Sequence, residues 1–204
     1  NKIQLIMDIA LIIAALTFMI TMYITPGPNN ILCAFHGSKY GVKATIPLIS
    51  GMALGWLIMG LFVAITLDII ERNKGVLESL TIVGALYIVY LSFKIATAKP
   101  LTDSEQDSNI LGPGTGLTLQ FVNGKAWIHD IVLLGSFGTA FGSGFSSKFI
   151  LIILSIILCL PAILSWTAFG TILRRIFSTP KSARILNRIM GISLFIVAIW
   201  LVIH

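Results

Sequence analysis

The residues of this 204-residue chain that could do chemistry fall in two short stretches. The first is Thr25-Pro26-Gly27-Pro28-Asn29-Asn30. Two prolines flanking a glycine cannot continue a regular helix, and the residue before each proline is pushed out of the helical region. Backbone groups are left without partners there. Asn29 and Asn30 can supply donors and acceptors, or cap a following helix. A helix beginning at this point would favour a carboxylate. The plainer alternative is an interfacial turn that merely ends a helix. The second stretch is Phe121-Val122-Asn123-Gly124-Lys125-Ala126-Trp127, followed by His129 and Asp130. Asn123-Gly124 weakens a helix locally and offers an amide. A lysine within an apolar span costs about 3 kcal/mol on insertion scales. Asp130 lies on roughly the face of Asn123, and His129 on a face next to Lys125. Direct pairing of Lys125 with Asp130 along one regular helix is strained. A carboxylate and an imidazole at membrane depth are candidates for binding a proton. The plainer alternative is a helix that starts late, with Lys125 snorkelling to the interface.

The elements that must position these residues are apolar. Hydrophobic residues make up 56% of the chain and charged ones only 11%, against about 25% charged in an ordinary soluble domain. The mean hydropathy is +0.96. A soluble enzyme and a nucleic-acid-binding module are both excluded by this balance. The net charge of +6 sits in short interhelical stretches rather than on one basic face. Six stretches approach the roughly 20 apolar residues that a spanning helix needs: 3–24, 46–67, 76–93, 117–140, 149–173 and 185–203. The first is too long for a cleaved leader and reads as a membrane helix. The polar stretch 97–112 is a linker, with Pro100, Asp103, Glu105, Asp107 and Gly112. The expected fold is therefore an all-α integral membrane protein with six transmembrane helices.

Three spans on either side of a linker suggest a repeat, with units at 1–96 and 113–204. Odd-numbered halves must be inverted relative to each other, which is a transporter architecture with broken helices. Ile82-Val83-Gly84-Ala85-Leu86 weakly echoes Ile189-Met190-Gly191-Ile192-Ser193, and Trp56 and Trp166 stand at comparable offsets. With the N-terminus outside, the inner stretches hold Lys39, Lys43, Lys94, Lys99, Arg174, Arg175, Lys181, Arg184 and Arg188. The outer side then holds only Lys2, Arg72, Lys74 and Lys148. The positive-inside rule favours this orientation, with both termini outside. Gly51 and Gly55 form a small-xxx-small pair that permits close helix approach, and Pro47 and Pro161 are positioned to bend their helices. Asp68 reads as interfacial. Cys33 and Cys159 show no metal-site or disulfide spacing and read as small packing residues.

These residues together resemble a known family. Thr25 to Asn30, then Gly37, Gly41 and Gly51-x-x-x-Gly55, resemble the first half of the LysE/RhtB amino-acid exporters. Gly84-Ala85-x-Tyr87-x-x-Tyr90-Leu91 resembles their third helix, and Asn123-x-Lys125-Ala126 the motif opening their second half. Pro26 to Leu32, Lys94 to Thr97 and Leu119 to Asn123 look most like the cysteine/O-acetylserine exporters. The resemblance implies a bacterial inner-membrane homodimer, without cofactor, that expels small amino acids in exchange for protons. It departs from the family at Gly124, where proline is usual, and at His129-Asp130, where apolar residues are usual. On this reading Pro26, Gly27, Pro28, Asn29, Asn30, Asn123, Gly124 and Lys125 bind substrate, while Asp130 and His129 carry the proton. The alternatives are export of lysine or arginine, a thiol–disulfide carrier using Cys33 and Cys159, a channel, and a non-transporting membrane subunit.

Overall fold

The computed structural model describes residues 2–72, 74–98 and 111–203. Most of the 97–112 linker, including Lys99, Pro100, Asp103, Glu105 and Asp107, lies outside the described residues. So do the side chains of Lys2, Asp68, Arg72 and Lys74. The described residues form eight helices: α1 (Lys2–Ile24), α2 (Pro28–Tyr40), α3 (Val42–Arg72), α4 (Lys74–Ala96), α5 (Pro113–Val122), α6 (Gly124–Ser136), α7 (Phe145–Ile176) and α8 (Pro180–Ile203).

Two of the expected spans differ from single straight helices. The stretch 3–24 is the first arm of a bent helix pair. After the break at 25–27 the chain continues as α2, bent 45° from α1. The N-cap of α2 is Gly27 rather than an asparagine, with Pro28 in the first turn, where its missing N–H costs nothing. The stretch 117–140 is two helices divided at Asn123, which ends α5 and caps α6. By length and hydropathy, three described helices can each cross a membrane, namely Val42–Leu67, Phe145–Ile176 and Pro180–Ile199, and the bent pair α1–α2 makes a fourth. The protein is thus a multi-pass membrane protein. Helices α3 and α7 run unbroken through Pro47 and Pro161.

The packing is dominated by three close helix pairs, α2 with α7, α4 with α8, and α3 with α5, and α3 also crosses α7. Glycines create these contacts. A methyl group on Gly51 would fall on the Pro113 carbonyl, and one on Gly116 on the Leu48 carbonyl, so α3 and α5 touch backbone to backbone. Gly37 and Gly170 do the same between α2 and α7, against Thr167 and Ala34. Gly191 meets Ser92 and Ala96 between α8 and α4. Without a hydrophobic driving force between helices in lipid, such close approach is how they hold together. The core they enclose contains Met19, Leu32, Leu48, Met52, Met59, Leu119 and Ile163, while Ile13, Ile65, Leu86 and Ile196 lie exposed, as a lipid-facing exterior requires.

Candidate functional site

The two breaks meet. Ending α1 at Ile24 leaves its last carbonyls without intrahelical partners, which a membrane interior cannot leave bare. Asn30 Nδ2 donates to the carbonyls of Tyr23 (2.8 Å) and Thr25 (3.0 Å). Lys125 Nζ, arriving from the other break, donates to the Thr25 carbonyl (3.1 Å), to Thr25 Oγ1 (2.8 Å) and to the Pro26 carbonyl (3.5 Å). A cation at a helix C-terminus also complements the macrodipole. Gly27 admits this side chain, because a Cβ there would lie 2.9 Å from Lys125 Cδ.

The second break is capped from within. Asn123 has extended backbone (φ −93°, ψ 97°), and its Oδ1 accepts from Lys125 N at 3.1 Å. Trp127 Nε1 donates to the Phe121 carbonyl at 2.9 Å, covering the end of α5. Between the breaks runs an amide bridge. Asn29 Nδ2 donates to Gln120 Oε1 (3.0 Å), and Asn123 Nδ2 donates to Asn29 Oδ1 (3.1 Å). Asn29, Gln120 and Asn123 are all buried.

A small cavity of about 30 Å³ lies against the two breaks, lined by Gly27, Pro28, Asn29, Asn30, Asn123 and Lys125, together with Met22, Tyr23, Trp56, Ala126, His129 and Cys159. A single water needs about 10–15 Å³ by this measure, so the space suits about two or three waters. Most of the residues singled out from the sequence therefore line one cavity. Pro26 and Gly124 do not. Pro26 lines a separate apolar groove with Ile31, Trp166 and Phe169, and Gly124 is buried at the start of α6. Asp130 is not in the lining either and sits behind His129. The Lys125 ammonium is held by the α1 end rather than by Asp130.

Behind the cavity a polar chain is held by aromatic packing. His129 stacks on Phe18 with ring centroids 5.5 Å apart and tilts against Tyr23 at 5.1 Å. Asp130 Oδ1 lies 3.0 Å from His129 Nδ1. His129 Nε2 lies 3.0 Å from the Tyr23 hydroxyl, which is also hydrogen-bonded to Ser155 Oγ. Asp130 Oδ2 is buried and unpartnered among the described residues. With the carboxylate ionised, His129 donates from Nδ1 and accepts the Tyr23 proton at Nε2. With the imidazole charged, both ring nitrogens donate and Tyr23 accepts. The same geometry serves both states.

Tyr23, Ser155, Gln120 and Trp56 are the site residues that sequence reasoning missed. Ser155 and Trp56 lie in regular apolar helices with no local anomaly to mark them. Tyr23 and Gln120 stood close to the breaks, Tyr23 two residues before Thr25 and Gln120 three before Asn123, and Gln120 is an amide in an apolar run. Cys33 packs with its Sγ 3.7 Å from Met52 Sδ, whereas Cys159 borders the cavity.

Residues 20–204 match the family described as LysE type translocator. Among similar curated proteins is the cysteine/O-acetylserine efflux protein of Klebsiella pneumoniae subsp. pneumoniae, 34% identical over 128 residues, covering 62% of this chain and 65% of the relative. Proteins of the same description from Salmonella typhi and Escherichia coli O6:K15:H31 are each 34% identical over 122 residues, covering 59% of this chain and 62% of the relative. The chain thus spans somewhat less than two thirds of the length of these relatives. No solved structure matches. With the family's match running through both breaks and every long helix after them, the chain belongs to the LysE family of translocators.

Proposed function

We propose that this protein is a secondary transporter of the bacterial inner membrane that exports small neutral amino acids or their derivatives, of the cysteine/O-acetylserine kind, in exchange for protons. The observation that carries the reading is Lys125. Its ammonium reaches into the junction of two broken helices and, among the described residues, is held there only by carbonyls and a hydroxyl. A substrate carboxylate supplies the missing counter-charge. The first N–H groups of α2 have no partners inside that helix, and its positive dipole end favours the same anion. Asn29, Asn30 and Asn123 then offer oxygens to the substrate's ammonium. In this mechanism the carboxylate draws Lys125 off Thr25 and Pro26, loosening the junction. The cavity is far smaller than an amino acid, which suits a closed state between loading and release.

The proton path runs from Asp130 through His129 to Tyr23 at the cavity. Substrate arriving at the Lys125 side and a proton arriving at Asp130 bias the same junction, which is the requirement for exchange. Export of lysine or arginine is disfavoured, because no acidic residue is among the described residues lining the cavity.

Two inverted three-helix repeats are part of the proposal. What supports them is the packing. A two-fold relating α1–α2 to α5–α6, α3 to α7 and α4 to α8 brings α3 against α7 and α4 against α8, and both contacts occur.

The test is efflux from proteoliposomes under an imposed pH gradient, with labelled cysteine, O-acetylserine, threonine and arginine in parallel. Gradient-driven movement of the small neutral substrates supports the reading. Movement of arginine alone overturns the substrate class, and movement of none overturns the transporter. In Asp130→Asn, substrate should still move down its own gradient, but the rate should no longer rise with external acid. Unchanged pH dependence removes Asp130 from the coupling.

A further inference from the structure

Among the described residues, Trp56 is the sole α3 residue that borders the cavity. It is only 8% exposed, and its Nε1 is buried without a hydrogen-bond partner among the described residues. The ring is fixed edge-on against Tyr23, centroids 5.9 Å apart. An indole N–H can only donate, and a buried donor left unpaired is costly. The other polar side chains around the cavity make hydrogen bonds within the protein: Lys125 to the α1 carbonyls, Asn29 to Gln120 and Asn123, Asn30 to the α1 end, and Tyr23 to His129 and Ser155. Among the described residues lining the cavity, Trp56 Nε1 is the one buried side-chain nitrogen or oxygen without a partner.

Resting on the transporter reading above, we infer that Trp56 is a specificity residue whose indole N–H donates to an acceptor atom on the substrate's side chain. With Lys125 and the start of α2 taking the carboxylate, the donor on α3 is left for the other end of the substrate. An ester or amide carbonyl satisfies it fully, a thiol sulfur weakly, and a hydrocarbon not at all. A site built to hydrogen-bond one group discriminates strongly against analogues that lack it, because its own polar atom is then stranded. The expected order is O-acetylserine, then cysteine, then 2-aminobutyrate, whose ethyl side chain has no acceptor.

The experiment compares export of O-acetylserine and 2-aminobutyrate by wild type and Trp56→Phe in the same proteoliposome assay. Phenylalanine keeps a ring against Tyr23 and removes the donor. The ratio of the two rates should fall about tenfold in the variant. Because the ratio is taken within one preparation, partial loss of folded protein cancels. A second reading uses the wild type alone, with tryptophan indoles labelled with nitrogen-15. Among the chain's 4 tryptophans, one indole N–H resonance should shift with O-acetylserine and not with 2-aminobutyrate, and that resonance should be missing from Trp56→Phe. An unchanged ratio, or an indole that responds equally to both compounds, overturns the role of Trp56 while export itself stands. Wild type that moves and binds neither compound overturns the transporter reading and this inference with it.

Discussion

Lys125 has two partners to choose between, and its substitution separates them. In Lys125→Met the carbonyls of Thr25 and Pro26 lose their donor and the cavity loses its cation. Export should fall by tenfold or more at low substrate, measured as initial efflux rate. Lys125→Arg keeps the charge but presents a planar fork in place of a compact ammonium. It should restore only part of the rate. Asn123→Ala removes both the α6 cap and the donor to Asn29. The cap alone is worth about 1 kcal/mol, so a lowered thermal midpoint should accompany the loss of export. These residues were legible in the sequence because each is a chemical anomaly in an apolar run. Their partners were not. Ser155 becomes significant only when distant helices bring it to Tyr23, which in turn meets His129, and nothing in its own neighbourhood says so.

At the scale of elements, the pairing of broken helices explains what hydropathy reads well and what it misses. The long spans α3, α7 and α8 stand out as apolar stretches because part of each faces lipid. Helix α2 does not stand out. It carries Asn29, Asn30, His36, Ser38 and Lys39, yet Pro28 to Ser38 are all buried. Protein rather than lipid surrounds it, so its polar groups are met by hydrogen bonds. His36 is the clearest case. Its Nδ1 lies 2.8 Å from Thr45 Oγ1, and its Nε2 accepts from Leu111 N at 3.1 Å, tying the approach to α5 onto α2 and α3. The Gly51-x-x-x-Gly55 spacing was a visible packing signal, and it resolves into the α3–α5 contact. Gly51→Val must push a side chain into the Pro113 backbone. Overpacking of this kind costs about 1–3 kcal/mol, and a backbone neighbour puts it at the upper end. The detergent-solubilised variant should melt well below wild type, whereas Gly75→Ala, whose added Cβ meets nothing within 4 Å, should melt close to it.

At the scale of the whole molecule, the arrangement of charge predicts orientation and the cysteines test the rival chemistry. A Cys33→Ser/Cys159→Ser variant should keep its pH-driven export, since neither thiol is needed for the proposed cycle. Loss of all activity would favour a thiol carrier, although Cys159 borders the cavity and a modest change in KM is expected there. On that background, Ser143→Cys should react with a membrane-impermeant maleimide added to intact cells, and Ser178→Cys should react only after permeabilisation. The reverse pattern would invert the protein in the bilayer. The multi-pass, all-helical class could be read from composition. That the two breaks form two halves of one site could be inferred from their broken-helix motifs, but which side chains meet there could not, because that depends on how α2 docks on α7 and α5 on α3.

The glycine contacts have a mechanical meaning. Backbone laid directly on backbone leaves no compliant side chains to slide, so α2 with α7, α3 with α5, and α4 with α8 each behave as a single double rod. Every such rod takes one member from each half of the sequence. Gly84 lays α4 on the Val122 backbone of α5 in the same way, joining two of the rods, so the natural division is not between the two halves along the chain but between the α2–α7 rod and the joined α3–α5 and α4–α8 rods, which meet around the junction that Lys125 and the Asn29–Gln120–Asn123 bridge hold closed. Opening a path to either side of the membrane becomes a matter of tilting rods about that clasp, with the unwound turns at 25–27 and 123 as the places where the chain can flex.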